Sequence, residues 1–210
     1  MRWTMVVWLS EPFARAHGVA RQNFYPHYYV PGDTSSVEQL IRQPVMDPDY
    51  VSEVDFVDAA RRGTPLAPGR VTPPALADRL ERDNREALRL TGAIDTRGDA
   101  SLRYEVADAR TWAHLGLHLA EKLRARSRCT ASVSAAATSR RRVAVAHLER
   151  AVAHWDEVVR ITRPLYRDMK LTHYNHNFFV ANDRNLFHWA LIRDEVAADV
   201  TIARAAREGE

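Results

Sequence analysis

Asp99-Ala-Ser-Leu-Arg-Tyr-Glu-Val-Ala-Asp-Ala-Arg-Thr-Trp-Ala-His-Leu-Gly-Leu-His-Leu-Ala-Glu-Lys-Leu-Arg124 decides the fold class. Leu102, Val106, Ala109, Ala113, Gly116, Ala120 and Leu123 recur in it by fours and threes, the spacing that draws one apolar stripe along an α-helix. A helix over about Asp99–Arg124 is predicted. Downstream, Val145, Leu148, Val152, Trp155, Val159 and Thr162 repeat the pattern and predict a helix near Arg141–Leu165. Trp189, Ile192, Val196, Val200 and Ala203 do the same for a last helix over about Asn185–Arg207. Upstream, Thr72 is a suitable N-cap, Pro73 sits where a first-turn proline is tolerated, and Gly92 is a natural stop. Stripes of this kind need partners, and antiparallel packing into a bundle is the simplest way to supply them.

The flanks read differently. Residues 1–71 form an irregular N-terminal segment rich in Pro, Gly and aromatics, with at most one or two short strands; residues 72–210 form the helical bundle. Thr4–Leu9 is short, apolar and β-rich, and suits a buried strand. Short helices are expected at Ser36–Arg42 and at Pro48–Arg62, the latter capped by Asp47. Arg62-Gly-Thr-Pro-Leu-Ala-Pro-Gly is the best linker candidate. Between the two longest helices, Arg126 to Arg142 changes composition abruptly and carries no stripe. It reads as a loop, with a reading-frame change inside a helical hairpin as the second reading. Arg140-Arg-Arg reads as a solvated helix start.

Composition narrows the function classes. With 46% hydrophobic and 27% charged residues the chain can bury a core. Thirty Lys and Arg against twenty-seven Asp and Glu leave a formal charge of +3, and the charges are interspersed. That describes a solvated surface better than a nucleic-acid-binding one. Cys129 is the only cysteine, which excludes an intramolecular disulfide and a thiolate metal cage. No apolar run approaches a membrane span, and the start lacks the features of a signal peptide. The chain reads as soluble, with no compartment assigned and no cofactor pattern: a phosphate-binding glycine loop and a nucleophile elbow are both missing.

The densest polar-aromatic stretch runs from Thr172 to Trp189. Its amides and imidazoles can bond sugar hydroxyls while its rings cover the apolar face of a saccharide. The alternative is that Phe178, Phe179, Phe187 and Trp189 anchor the core, with Asn182 or Asp183 capping the last helix. The pairs His173/His176 and His114/His118 have metal-like spacing without a third ligand, so no metal site is expected. Glu11, in Trp8-Leu-Ser-Glu-Pro, is the candidate catalytic acid, with Asp33 or Asp47 as the candidate second carboxylate, because paired carboxylates across a cleft can hydrolyse a glycosidic bond.

Ala146-His-Leu-Glu-Arg-Ala-Val-Ala-His-Trp-Asp-Glu-Val, Thr162-Arg-Pro-Leu-Tyr, Leu171-Thr-His-Tyr-Asn and Phe187-His-Trp together resemble the C-terminal helical region of large bacterial glycoside-hydrolase-like proteins, of the α-glucuronidase or hexosaminidase kind. The resemblance covers roughly the last hundred residues. It implies a helical accessory domain of a carbohydrate-active protein, binding saccharide without being catalytically complete alone. Thr4–Leu9 would then resemble a last barrel strand, with most of a catalytic barrel belonging to a missing N-terminal partner domain. The residues so marked for saccharide contact are His173, Tyr174, Asn175, Asn177, His188 and Trp189, with Trp8, His27 and Tyr28 near the barrel edge. A helical protein–protein interaction module without enzymatic activity is the other class the sequence allows.

Overall fold

The computed structural model describes residues 47, 49–129, 137–170 and 186–205. The expected strand at Thr4–Leu9 and the expected helix at Ser36–Arg42 lie outside the described residues. What is described is mostly α-helical: α1 (Glu53–Arg62), α2 (Pro73–Gly92), α3 (Ala100–Cys129), α4 (Ala137–Thr162) and α5 (Arg193–Ala205), with two-residue strands β1 (Met169–Lys170) and β2 (Leu186–Phe187) between α4 and α5.

Cap chemistry sets several of these bounds. The Thr72 hydroxyl accepts from the Ala75 N–H, Pro73 opens α2 and Gly92 closes it, as the sequence predicts. Asp99 accepts from the Leu102 N–H at 2.9 Å at the start of α3. Helix α1 begins at Glu53, five residues later than the expected start at Pro48, and its cap is Ser52. Asp47 closes a local turn instead, accepting from the Asp49 N–H at 3.0 Å. The next residues are drawn into extended pairing, with Val51 N–H donating to the Val71 carbonyl and Val71 N–H to Asp49. That non-local pairing leaves 49–51 unavailable for helix. Gly63 ends α1 at φ 64°, in the left-handed region that residues bearing a Cβ avoid.

Two other expectations are corrected. First, α3 continues to Cys129 and α4 begins at Ala137, so the ends of the stretch read as a loop are helical. Ala and Arg are strong helix formers even where no stripe marks them. Arg141 and Arg142 are exposed in the opening turns of α4, as expected. Second, α5 begins at Arg193, and Trp189 and Ile192 precede it. Leu186 and Phe187 pair antiparallel with Lys170 and Met169, and a turn through Leu191, whose N–H donates to the His188 carbonyl, follows.

Neighbouring helices run antiparallel. Arg124 near the end of α3 meets Asp78 near the start of α2, while Gly92 lies beside Arg110. Glu121 meets His147, and Asp108 meets Tyr166 just past α4. Arg193 and Arg204 of α5 pair with Asp156 and Glu149 of α4. The core lies in two clusters. Ala77, Ala120 and Leu123 join α2 to α3, and Ala125, Ala144, Leu148, Val200 and Ala203 join α3, α4 and α5.

Helix α3 is therefore covered on both sides, and its buried set is wider than the single stripe expected. It includes Thr111, His114, His118, Glu121 and Lys122. Small residues allow the close approach. A Cβ added to Gly116 would lie 2.5 Å from Cγ and 2.6 Å from Oδ1 of Asn84 on α2.

Candidate functional site

Two places in the bundle gather chemistry-bearing side chains. One is the seam between α3 and α4. Residues 111, 114, 118, 121 and 125 of α3 fall on one face by helical spacing, and residues 144, 147, 151, 154, 155 and 158 of α4 face them. The seam thus carries imidazoles from both helices. His114 Nδ1 lies 3.3 Å from His154 Nδ1. His118 Nδ1 lies 2.9 Å from the Ala151 carbonyl; since a carbonyl only accepts, this nitrogen carries the hydrogen.

Charges in the seam are matched. Glu121, 7% exposed, lies 2.7 Å from His147 Nδ1 and accepts from Arg150 Nε at 3.0 Å. Arg124 approaches its other oxygen at 3.5 Å. Next to it, Lys122 and Asp199 form a buried ion pair at 2.8 Å. Burial, and then the neighbouring Lys122 ammonium, push His118 down to about 3. Burial also holds His114 below the ordinary histidine value, with the facing His154 adding to it. His154 is likewise held down, chiefly by burial. At neutral pH these rings are uncharged, as a desolvated imidazole must be.

The second place is the end of the bundle formed by the C-terminus of α4 and the N-terminus of α5. Trp155 of α4 packs edge-on against Trp189, ring centroids 5.5 Å apart, and its Nε1–H donates to the Trp189 carbonyl at 3.0 Å. On its other side Trp155 meets His118 at 5.2 Å. His188 is 3% exposed, and its Nδ1 accepts from the Ala190 N–H at 3.0 Å. Its buried Nε2 makes no well-formed hydrogen bond, although the Thr162 carbonyl is close enough to favour the charged ring. Burial outweighs that and lowers His188. Tyr166 donates to Asp108 and packs against Tyr104, centroids 6.0 Å apart.

Of the residues marked for saccharide contact, His188 and Trp189 are described, and they follow β2 directly in the chain. His188 is sunk in the bundle, and Trp189 is half-buried as an anchor for Trp155. Trp8, Glu11, His27, Tyr28, His173, Tyr174, Asn175 and Asn177 lie outside the described residues, as do Phe178, Phe179 and the His173/His176 pair. His114 and His118 do share a helix face, but each has its own partner on α4. Among the described residues no group of three or more His, Cys, Asp or Glu is arranged to hold a metal ion, and no helix is long and apolar enough to cross a membrane.

The sequence reading did not single out His147, His154, Glu121, Lys122 or Asp199. Their signal was present in one form: His147 and His154 are seven residues apart, on the same face as Leu148 and Trp155. Polar groups at stripe positions are the mark of a polar seam, but their partners on another helix are legible only in the fold. No protein-family model, curated protein or solved structure matches this chain.

Proposed function

We propose that this chain is a helical accessory domain of a carbohydrate-active, glycoside-hydrolase-like protein, binding saccharide through residues 171–189. One observation carries the reading. The pairs Met169–Phe187 and Lys170–Leu186 hold the two ends of the His/Tyr/Asn-rich stretch side by side, on a base fixed by His188 and the Trp155–Trp189 contact. A stretch rich in amides, imidazoles and phenol rings thus leaves and re-enters the bundle at one place, as binding segments carried on a helical frame do. Saccharides suit that chemistry: hydroxyls take the amides and imidazoles, and the C–H face of a sugar ring packs on Tyr or Trp.

Thermal melts of the full chain against neutral sugars, uronic acids and N-acetylated sugars test it. A ligand that binds only the folded state adds about 2.7 kcal/mol at a hundred times its dissociation constant. A selective rise in Tm is expected, lost on alanine substitution at Tyr174 and Asn175. A panel that moves nothing would end the saccharide reading.

The second reading is a helical interaction module. It draws on Leu90, Ile94, Leu186 and Leu191, large apolar side chains that stand exposed. It predicts a co-purifying partner or a concentration-dependent mass, with no response to sugars.

A further inference from the structure

We propose that the His114–His154 contact is an acid-sensitive latch between α3 and α4, whose opening unseats the Trp155–Trp189 anchor beneath the β1–β2 ladder. The argument starts from the 3.3 Å separation of the two Nδ1 atoms. With both rings neutral, one Nδ1–H donates to the lone pair of the other. The donor ring can take a first proton on its outer Nε2 and leave that bond intact. A second proton must occupy the acceptor's Nδ1 lone pair. The bond is then replaced by two N–H groups and two cations facing each other across the same gap. The pair therefore titrates in two coupled steps, and only the second opens it.

The surroundings set where the second step falls. His114 is 8% exposed, so charge placed there is poorly solvated. Glu157 on α4 favours charge on both rings. Glu121 on α3 and Glu81 on α2 favour it on His154, while Arg85 on α2 opposes it. Arg110 on α3 and Arg160 on α4 oppose it on His114. From α5, Asp199 is held by Lys122, the cation nearest in effect to His118. Burial outweighs the carboxylates, which puts the window below pH 6.5.

The latch is mechanically linked to the ladder's base. His154 and Trp155 are consecutive residues on α4, and Trp155 is wedged between His118 and Trp189. Displacing α4 at His154 withdraws the indole N–H from the Trp189 carbonyl. Loss of that bond is the observable, and it does not depend on what residues 171–189 bind.

The experiment is a proton NMR titration of the full chain from pH 8 to pH 4.5. It follows the imidazole Cε1–H resonances of His114 and His154 and the indole N–H of Trp155, the last assigned by its disappearance in Trp155→Phe. Two separated histidine steps are expected, with the Trp155 indole resonance lost at the second while the helical signal in far-UV circular dichroism persists. In His154→Gln, which keeps hydrogen-bonding atoms but cannot take a proton, that loss should move at least one pH unit lower. Independent titration of both histidines near pH 6.5 with the Trp155 resonance unchanged overturns the latch. Global unfolding at the same pH in both proteins overturns it too. If His154→Gln does not fold, the coincidence or separation of the two events in the unsubstituted chain decides alone.

Discussion

Lys122 and Asp199 meet at 2.8 Å with side chains only 10% and 8% exposed, between α3 and α5. In Lys122→Met the apolar stem is kept and the ammonium removed, so packing changes little and Asp199 stays buried without its lysine. Breaking a buried pair on one side typically costs about 3–5 kcal/mol. At roughly 2–4 °C per kcal/mol for a chain of this size, Tm should fall by about 6–20 °C. Asp199→Leu should cost a similar amount. The double variant Lys122→Met/Asp199→Leu should return to within about 1 kcal/mol of the parent or exceed it, because removing both charges also removes their desolvation cost. Urea unfolding at pH 7, followed by circular dichroism, supplies all four corners of the cycle. Two single variants that each cost under about 1 kcal/mol, and that simply add in the double, would refute a buried, coupled pair. The cycle also reaches His118: without the Lys122 ammonium its ring is less depressed, and acid sensitivity attributable to it should diminish.

Other outcomes follow from single contacts. His118 is neutral when folded and free to charge when unfolded, so its contribution is fully present above pH 6.5 and lost as pH falls towards about 3. Between pH 6.5 and 5 that is about 2 kcal/mol, at about 1.4 kcal/mol per unit; His118→Leu should flatten the stability slope by one proton, and an unchanged slope would contradict the assignment. Gly116→Ala pushes Asn84 off its 2.7 Å bond to the Leu80 carbonyl. The loss of about 1 kcal/mol offsets a similar gain in helix propensity, leaving the variant near the parent in a chemical melt. In an Asn84→Ala background the same change should stabilise by about 1 kcal/mol, and equal effects in both backgrounds would exclude the close approach. Gly63→Ala, at φ 64°, should lower stability by roughly 1 kcal/mol, measured as a shift in urea midpoint.

What the sequence disclosed and what it withheld divide along the range of the forces involved. Thr72, Pro73 and Gly92 mark the ends of α2 because capping is decided within four residues. The stripes through Leu148, Trp155, Val196 and Val200 survive because helical period is local too. Helix α5 starts eight residues later than its stripe implies because Leu186 and Phe187 are claimed by Met169 and Lys170, a pairing that no local signal announces. The Pro48 start failed for the same reason, through Val71. At the candidate site, Trp189 was legible as a core anchor in one of the two readings, but its partner Trp155 and the burial of His188 were not. The His114–His154 contact spans forty positions, and only the antiparallel register of α3 and α4 brings it about.

The β1–β2 ladder makes Lys170 and Leu186 a graft point. Fifteen residues separate them, and lengthening such an interval is cheap: each doubling costs only about 0.6 kcal/mol in closure entropy. The ladder itself holds the two ends side by side. In closure entropy, sequence inserted between 171 and 185 therefore costs the bundle little, so a lineage could lengthen this interval while keeping the same frame.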